Sequence, residues 1–320
     1  MAKSQTVVFD GVGMTEKATN STLQTKHSSE ALCHAPITLF AIPKAFEGDA
    51  DRIQRNAIQS WMQLNPAMDV LLFGDEPGIE SFANEVGAFH ESRLARNESG
   101  TPLVSSAFAA AHKLSDSPTL VYCNSDVILG PDFVRAIERL SSQTQLKQWL
   151  AIGQRTDVVI DREIEFESKT QVAWLEHRCK TEGEQSSRVC KEYFAFSREL
   201  FQNVPPFAVG RGNWDNWMVA NAKANEIPIV DLTQQVTAIH QAHDYSHMNS
   251  SRMKCYVNGE EAIENQKLAG GRNLISGSTC THRLGDNGIE RIGIARAGFD
   301  FLQDIPRFAK LATQLLFGRS

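Results

Sequence analysis

The stretch Leu120-Val121-Tyr122-Cys123-Asn124-Ser125-Asp126-Val127-Ile128-Leu129-Gly130 decides how the rest of the chain is read. Thr119 to Cys123 is a short run rich in β-branched and aromatic residues, the composition of a buried strand. Asn124, Ser125 and Asp126 then place three short oxygen-bearing side chains at that strand's carboxyl end. In open α/β sheets, ligands bind in the crevice at that end. A hard divalent cation takes oxygen ligands and bridges phosphate oxygens, so Asp126 could hold a metal–diphosphate complex there. A plain turn, with Asn and Asp bonding backbone amides, fits the same tripeptide.

Strands and helices alternate on either side of this stretch. Ile37 to Ile42 reads as a strand stopped by Pro43, and Ile53, Ala57, Trp61 and Leu64 follow at helical spacing. Val70 to Phe73 is a second strand ending at Gly74-Asp75; Ile79, Phe82 and Val86 mark a second helix, and Ala88 to His90 a short third strand. Thr101 and Pro102 are expected to cap and open a helix that buries Leu103, Ala107, Ala110 and Leu114. Phe133, Ile137 and Leu140 give another helix after the opening strand. Further strands are expected at 149–152, 193–196, 227–232 and 236–239, with helices at 171–177 and from Asn213 to Ala222. Such alternation implies βαβ units, a mostly parallel sheet and right-handed crossovers. Neither Gly-x-Gly-x-x-Gly after the first strand nor a Walker-type loop is present, which removes the usual dinucleotide and P-loop readings.

Composition bounds the rest. A chain of 320 residues with 42% hydrophobic and 22% charged residues has the make-up of a globular protein able to bury a large core. A net charge of -6 argues against a nucleic-acid-binding surface. Six cysteines without a Cys-x-x-Cys pair point to reduced thiols in a cytoplasmic protein, although Cys179 and Cys190 could pair across a polar loop. No apolar run is long enough to span a bilayer, and no signal-peptide pattern opens the chain. Phe308, Leu311, Ala312 and Leu315, with Arg307, Lys310 and Arg319 nearby, form a basic amphipathic stripe. Such a helix docks on its own domain, the placement favoured here, or lies peripherally on an anionic membrane.

Two further groups carry chemistry. In Gly210-Arg211-Gly212-Asn213-Trp214-Asp215-Asn216-Trp217, the glycines let backbone amides approach a ligand, and Asp215 opens a helix between two tryptophans. A carboxylate there could serve as a general base with Trp214 against a sugar ring, or cap the helix beside core tryptophans. His240, His243 and His247 crowd the end of the last strand, where a neutral imidazole is a competent metal ligand and a solvated loop histidine the plainer alternative. His-x-x-His followed by Asp244 also fits a metal-dependent hydrolase, without the His-Glu-x-x-His signature.

The order of these three groups resembles the core of GT-A glycosyltransferases. Asn124-Ser125-Asp126 resembles their Asp-x-Asp motif with Asn in the first place; Gly210 and Gly212 resemble the glycine loop, Asp215 the acidic position, and His240 or His243 the late histidine. Arg96 to Leu103, Gly210 to Trp217 and Thr237 to His247 are similar to strings in an uncharacterised group of bacterial and plant glycosyltransferases. The resemblance implies an α/β, GT-A-like fold with a mostly parallel sheet and a C-terminal helical extension. It divides the chain into a leader (1–35), a nucleotide-sugar-binding and catalytic domain (36–247) and an extension (248–320). It also implies transfer of a sugar from a nucleotide-diphosphate sugar to a hydroxyl on an unknown glycan, lipid or small molecule, helped by Mg²⁺ or Mn²⁺. Asp126, His240 and His243 would hold the metal, and Asp215 would be the base. Lys44, Asp75, Arg96, Asn124, Ser125, Gly210, Gly212 and Trp214 would line the donor. A sugar-binding protein without turnover and a nucleotidyltransferase on a similar sheet are the alternatives.

Overall fold

The computed structural model describes residues 32–242, 259–271 and 280–317. Its elements run β1 (Ile37–Ala41), α1 (Gly48–Met62), β2 (Met68–Phe73), α2 (Ile79–Val86), β3 (Phe89–Glu91), α3 (Val104–Leu114), β4 (Thr119–Cys123), β5 (Val127–Ile128), α4 (Pro131–Ser141) and β6 (Leu150–Ile152). They continue through β7 (Arg155–Val158), α5 (Lys169–Glu182), β8 (Glu184–Gln185), β9 (Tyr193–Ser197), α6 (Trp214–Ala224), β10 (Ile229–Asp231) and β11 (Ala238–Gln241). After these come α7 (Glu260–Leu268), β12 (His282–Gly285), β13 (Gly288–Arg291) and α8 (Ile294–Phe317).

Among the described residues, nine strands form one sheet in the order β13-β12-β10-β6-β9-β4-β1-β2-β3. Strand β1 runs parallel to β2 and β4, as do β2 to β3, β6 to β10 and β10 to β12. Strand β9 is antiparallel to both β4 and β6, and so joins two parallel halves. The fold is thus the expected α/β arrangement of a mostly parallel sheet flanked by helices. Apolar side chains cover both faces of this sheet, which explains why its inner strands read as continuous apolar runs. One face packs on α1, α2 and α4 through Ala57, Trp61, Phe82, Phe133 and Ile137. The other holds an aromatic cluster in which Phe108 stacks on Tyr122 and Phe196.

A second sheet, β5-β11-β7-β8, lies at the carboxyl edge. Strand β11 pairs with β5 antiparallel and with β7 parallel, in a register that sets His240 opposite Val127 and Asp157. Three of these strands were not expected: β5 and β8 have two residues each, and β7 is polar on three of its four positions.

The structure corrects several local readings. Helix α3 starts at Val104, without a side-chain cap. Thr101 and Pro102 instead belong to an irregular segment, where Arg96 bridges Pro102 and Leu103 bridges Ala208. Pairing with that neighbouring backbone outweighs the local helix-start signal. His240 lies inside β11 rather than after it. Thr281 to Leu284, unassigned from sequence, leads into β12, which pairs with β10. Cys179 and Cys190 are free thiols rather than a pair. No helix among the described residues is long and apolar enough to cross a membrane.

Candidate active site

Helix α1 fastens the loop after β4 with polar groups that its apolar stripe conceals. Ser125 Oγ donates to Gln54 Oε1 at 3.0 Å, and the same oxygen accepts the Lys44 amide at 2.7 Å. Trp61 Nε1 donates to the Val127 carbonyl at 2.9 Å. Asn56 Nδ2 donates to Gln241 Oε1 at 2.9 Å, and the Gln241 amide donates to the Asp126 carbonyl at 3.1 Å. The loop carrying Asn124, Ser125 and Asp126 is therefore bound to both β1's exit loop and β11.

That framework brings Asp126 to His240. The His240 ring is 2% exposed. Its Nε2 lies 3.5 Å from Asp126 Oδ2 and its Nδ1 2.7 Å from Asp157 Oδ1. Burial alone would lower this imidazole's pKa. The facing Asp126 carboxylate, then hydrogen bonding with Asp126 and Asp157, outweighs burial and the opposing Arg155 charge, and pushes it up to about 9. The Asp157 carboxylate on one ring nitrogen fixes how the other is aimed, the arrangement that orients metal-binding histidines.

Asn124 occupies a site with its own electrostatic logic. Its Nδ2 donates to Glu192 Oε2 at 2.5 Å, and its backbone amide donates to the Glu192 carbonyl at 2.9 Å. Arg155 joins Glu192 to Asp157, with its Nε 2.9 Å from Asp157 Oδ1. An acid at 124 would put a second carboxylate against Glu192, a repulsion that the Asn124 amide avoids by donating to it. Asn124→Asp is accordingly expected to destabilise the protein by about 1–3 kcal/mol at neutral pH. Urea denaturation measures this, and a more stable variant would refute the account.

The sequence of Lys191 and Glu192, just before the strand at 193–196, fits either a contact to the acceptor or, more simply, salt-bridged surface; the structure buries both. Lys191 is 5% exposed and donates to the Val189 carbonyl at 2.8 Å and Asn216 Oδ1 at 3.1 Å. Its Nζ lies 3.9 Å from Asp215 Oδ2. Asp215 is in the first turn of α6, whose N-cap is Asn213 in a left-handed conformation. Trp214 is 7% exposed and packs edge-on against Tyr122, with Phe194 beside it, so its ring belongs to the core.

The glycine loop is held from beyond the expected catalytic domain. Asn265 of α7, fully buried, accepts the Ala208 amide at 2.8 Å and donates to the Ala208 carbonyl at 3.0 Å. Glu261 accepts from Arg211 Nε at 2.9 Å and from Asn97 at 2.6 Å. Burial opposes ionisation of Glu261, but hydrogen bonds from Asn97, Thr101 and Arg211 hold its pKa below the usual value. Gly210 has φ 68° and open space where a Cβ would stand, so its backbone is accessible. Asn265→Ala is expected to cost about 1–3 kcal/mol, because two backbone groups lose their buried partner. Faster amide exchange at Ala208 than in wild type is the accompanying signature; unchanged exchange would contradict it.

The other sequence candidates lie at carboxyl ends of strands in the parallel half. Lys44 is exposed, its backbone amide and carbonyl both bonded to Gln54. Asp75 pairs with Arg96, which also reaches Glu76 at 3.1 Å and the Gly100 carbonyl at 2.7 Å. The Arg96 hydrogen bond holds the Asp75 carboxyl below its usual pKa. His243 and His247 lie outside the described residues. Sequence reasoning missed Asp157 and Arg155, which sit in a polar stretch with no motif around them. Their one legible signal is a pair of opposite charges two residues apart, the spacing that puts both on one face of a strand.

Asp126 and His240 offer an oxygen and a nitrogen ligand, and among the described residues no group of three or more His, Cys, Asp or Glu side chains could hold a metal ion. Once the imidazole gives up its proton, a carboxylate and a nitrogen suit a cation that accepts both and takes its remaining ligands from water and substrate phosphates, Mn²⁺ better than the oxygen-seeking Mg²⁺.

No protein-family model matches the chain, and no curated protein matches it. Among solved structures it is similar to glucosyl-3-phosphoglycerate synthase from Mycobacterium tuberculosis with Mg²⁺ and UDP (17% identity, 74% of this chain and 80% of that one, TM-score 0.44). The same enzyme with Mn²⁺, UDP-glucose and phosphoglyceric acid gives 17% identity over 74% and 80% of the two chains, TM-score 0.43. A protein from Desulfovibrio desulfuricans described as a nucleotide-diphospho-sugar transferase gives 12% identity over 74% and 97%, TM-score 0.41. These are likenesses of chain trace at low identity.

Proposed function

We propose that this chain is a glycosyltransferase acting on a nucleotide-diphosphate sugar. The observation that carries the reading is the meeting of Asp126 with His240, 3.5 Å apart at the carboxyl edge of β4. Asp215 is tied to this pair through a relay of contacts: its carboxylate lies 3.9 Å from Lys191 Nζ, and Glu192, next in the chain, accepts from Asn124.

Asp126 and His240 would hold a divalent cation, Mg²⁺ or Mn²⁺, which when bound supplies positive charge against the departing diphosphate. Asp157 keeps the His240 ring aimed at Asp126. Gly210, with open space at its Cβ, would leave backbone room for the donor, and Lys44 and Ser125, both bonded to Gln54, would line it. Asp215, partly exposed and steadied by Lys191, accepts the proton of the acceptor hydroxyl as that oxygen attacks the sugar's anomeric carbon. The carbon's bond to diphosphate oxygen breaks in the same displacement, and the nucleoside diphosphate departs. Residues 36–247 carry this chemistry in the proposal, with 248–320 bracing the glycine loop through Asn265 and Glu261.

The test is release of nucleoside diphosphate from a panel of nucleotide sugars with and without Mn²⁺, comparing wild type with Asp215→Asn. The variant is expected to lose about 10²–10⁴-fold in kcat with donor affinity unchanged. Donor binding without release by wild type would instead select the binding-protein reading, which the Asp75–Arg96 pairing favours by occupying a phosphate candidate. Pyrophosphate release from a nucleoside triphosphate and sugar phosphate would select nucleotidyl transfer.

A further inference from the structure

Helix α8 meets the domain through its acids rather than its apolar stripe. Asp300 and Asp304, one turn apart, are both 4% exposed. Phe301, Leu302 and Ile305 are exposed instead. Phe308, expected to dock on the domain, is itself exposed; the side chains of Leu311 and Leu315, and all of Arg319, lie outside the described residues.

The two acids open and close one ring of polar contacts. Asp304 accepts from Ser187 Oγ at 2.8 Å and from the Arg188 amide at 2.9 Å. The Arg188 guanidinium reaches Asp231, the last residue of β10, at 2.9 Å. Asp231 lies 3.6 Å from Arg283 of β12, and Arg283 returns to Asp300 at 2.8 Å. Arg188 is thereby held at its backbone by α8 and at its side chain by β10. Its turn closes with the Cys190 amide on the Ser187 carbonyl at 3.0 Å. Lys191 follows at once, with its Nζ 3.1 Å from Asn216 Oδ1 and 3.9 Å from Asp215 Oδ2.

Resting on Asp215 as the base, we propose that Asp304 and Asp300 are positioning residues for the reaction, which set Lys191, and through it Asp215, by way of the 187–190 turn. Taking carboxylates out of water opposes docking, and apolar side chains of similar volume often attach a helix at least as firmly. An apolar contact, however, tolerates sliding, whereas a carboxylate that accepts two fixed donors permits one register. Register is what the base needs. A group displaced by about 1 Å from its productive place can lose about 10²-fold in rate. The acids lie more than 80 residues beyond Asp215 in the chain, so the 248–320 extension steadies the base as well as the glycine loop. Neither acid bonds to a residue assigned to the donor, so the effect falls on the chemical step.

The experiment measures nucleoside-diphosphate release and donor affinity of the full chain, with the nucleotide sugar that wild type turns over. Asp304→Asn can keep an oxygen on the Arg188 amide while losing the charge. Its kcat is expected to fall about tenfold or more, with donor Kd within about twofold of wild type. Ser187→Ala, which leaves α8 untouched, should lower kcat by a smaller factor. Combination with Lys191→Met separates positioning from general loosening. Where the acid acts through Lys191, adding Asp304→Asn to that variant lowers kcat by less than about twofold further. Should Asp304→Asn not fold, Ser187→Ala with Lys191→Met carries the same comparison. Wild-type kcat in Asp304→Asn, fully multiplicative losses in the double variant, or a donor Kd that weakens in step with kcat overturns the proposal while the reaction stands. No release from any nucleotide sugar by wild type removes the reaction, and this role for the acids with it.

Discussion

Asp126→Asn is expected to lower donor-dependent nucleoside-diphosphate release by about 10²–10³-fold, the scale for losing one electrostatic group at a developing charge. The amide keeps the shape of the carboxylate and its backbone contacts to Gln241, so the fold should survive. What it removes is the negative charge facing His240 and the oxygen anion available to a cation. Single-turnover kinetics and Mn²⁺ titration read the two consequences separately: slower release, and weaker dependence on the ion. A variant with wild-type turnover and wild-type Mn²⁺ response would remove Asp126 from the reaction. Asp157→Asn is the informative companion, because it touches only the ring's far nitrogen. Its effect should be the smaller of the two.

The second large effect is on stability. Arg155→Met leaves Glu192 and Asp157 in place with the guanidinium between them gone. Glu192 and the Arg155 side chain are both nearly excluded from solvent, so screening by water is weak. Breaking a buried ion pair by removing one partner costs about 3–5 kcal/mol, or roughly 10 °C in melting temperature for a domain of this size. Arg155→Met combined with Glu192→Gln and Asp157→Asn should recover much of that loss, since the stranded charges are removed too. Differential scanning calorimetry on the single and triple variants decides it. A single variant that melts with wild type would show that the network contributes nothing to folding.

The legibility of this chain follows the range of its interactions. The strand Thr119–Cys123 and the helices from Ile79 and Pro131 were readable because their apolar periods are local and their cores are reached by one face. Buried Gln54 and Asn56 were not, because a polar residue on a helix looks solvated until its tertiary partner is known. The reading of Lys191 and Glu192 as surface went wrong for that reason: their charges are neutralised by Asp215 and Arg155, which no nearby spacing connects to them. Likewise, the C-terminal stripe showed amphipathicity from sequence, whereas its direction came from Asp300 and Asp304 pairing inward.

Local chemistry along the chain was enough to specify a buried strand breaking into Asn124-Ser125-Asp126, an acid at the start of α6 and an α/β order of elements. Hydrophobic period and turn residues act over a few positions, so these are written residue by residue. That His240 faces Asp126, and that Asp157, Arg155 and Glu192 join it, was settled only by the folded chain. The register of β11 between β5 and β7 puts His240 there. Register depends on hydrogen bonds between segments more than 80 residues apart, and no short-range pattern encodes a partner at that distance.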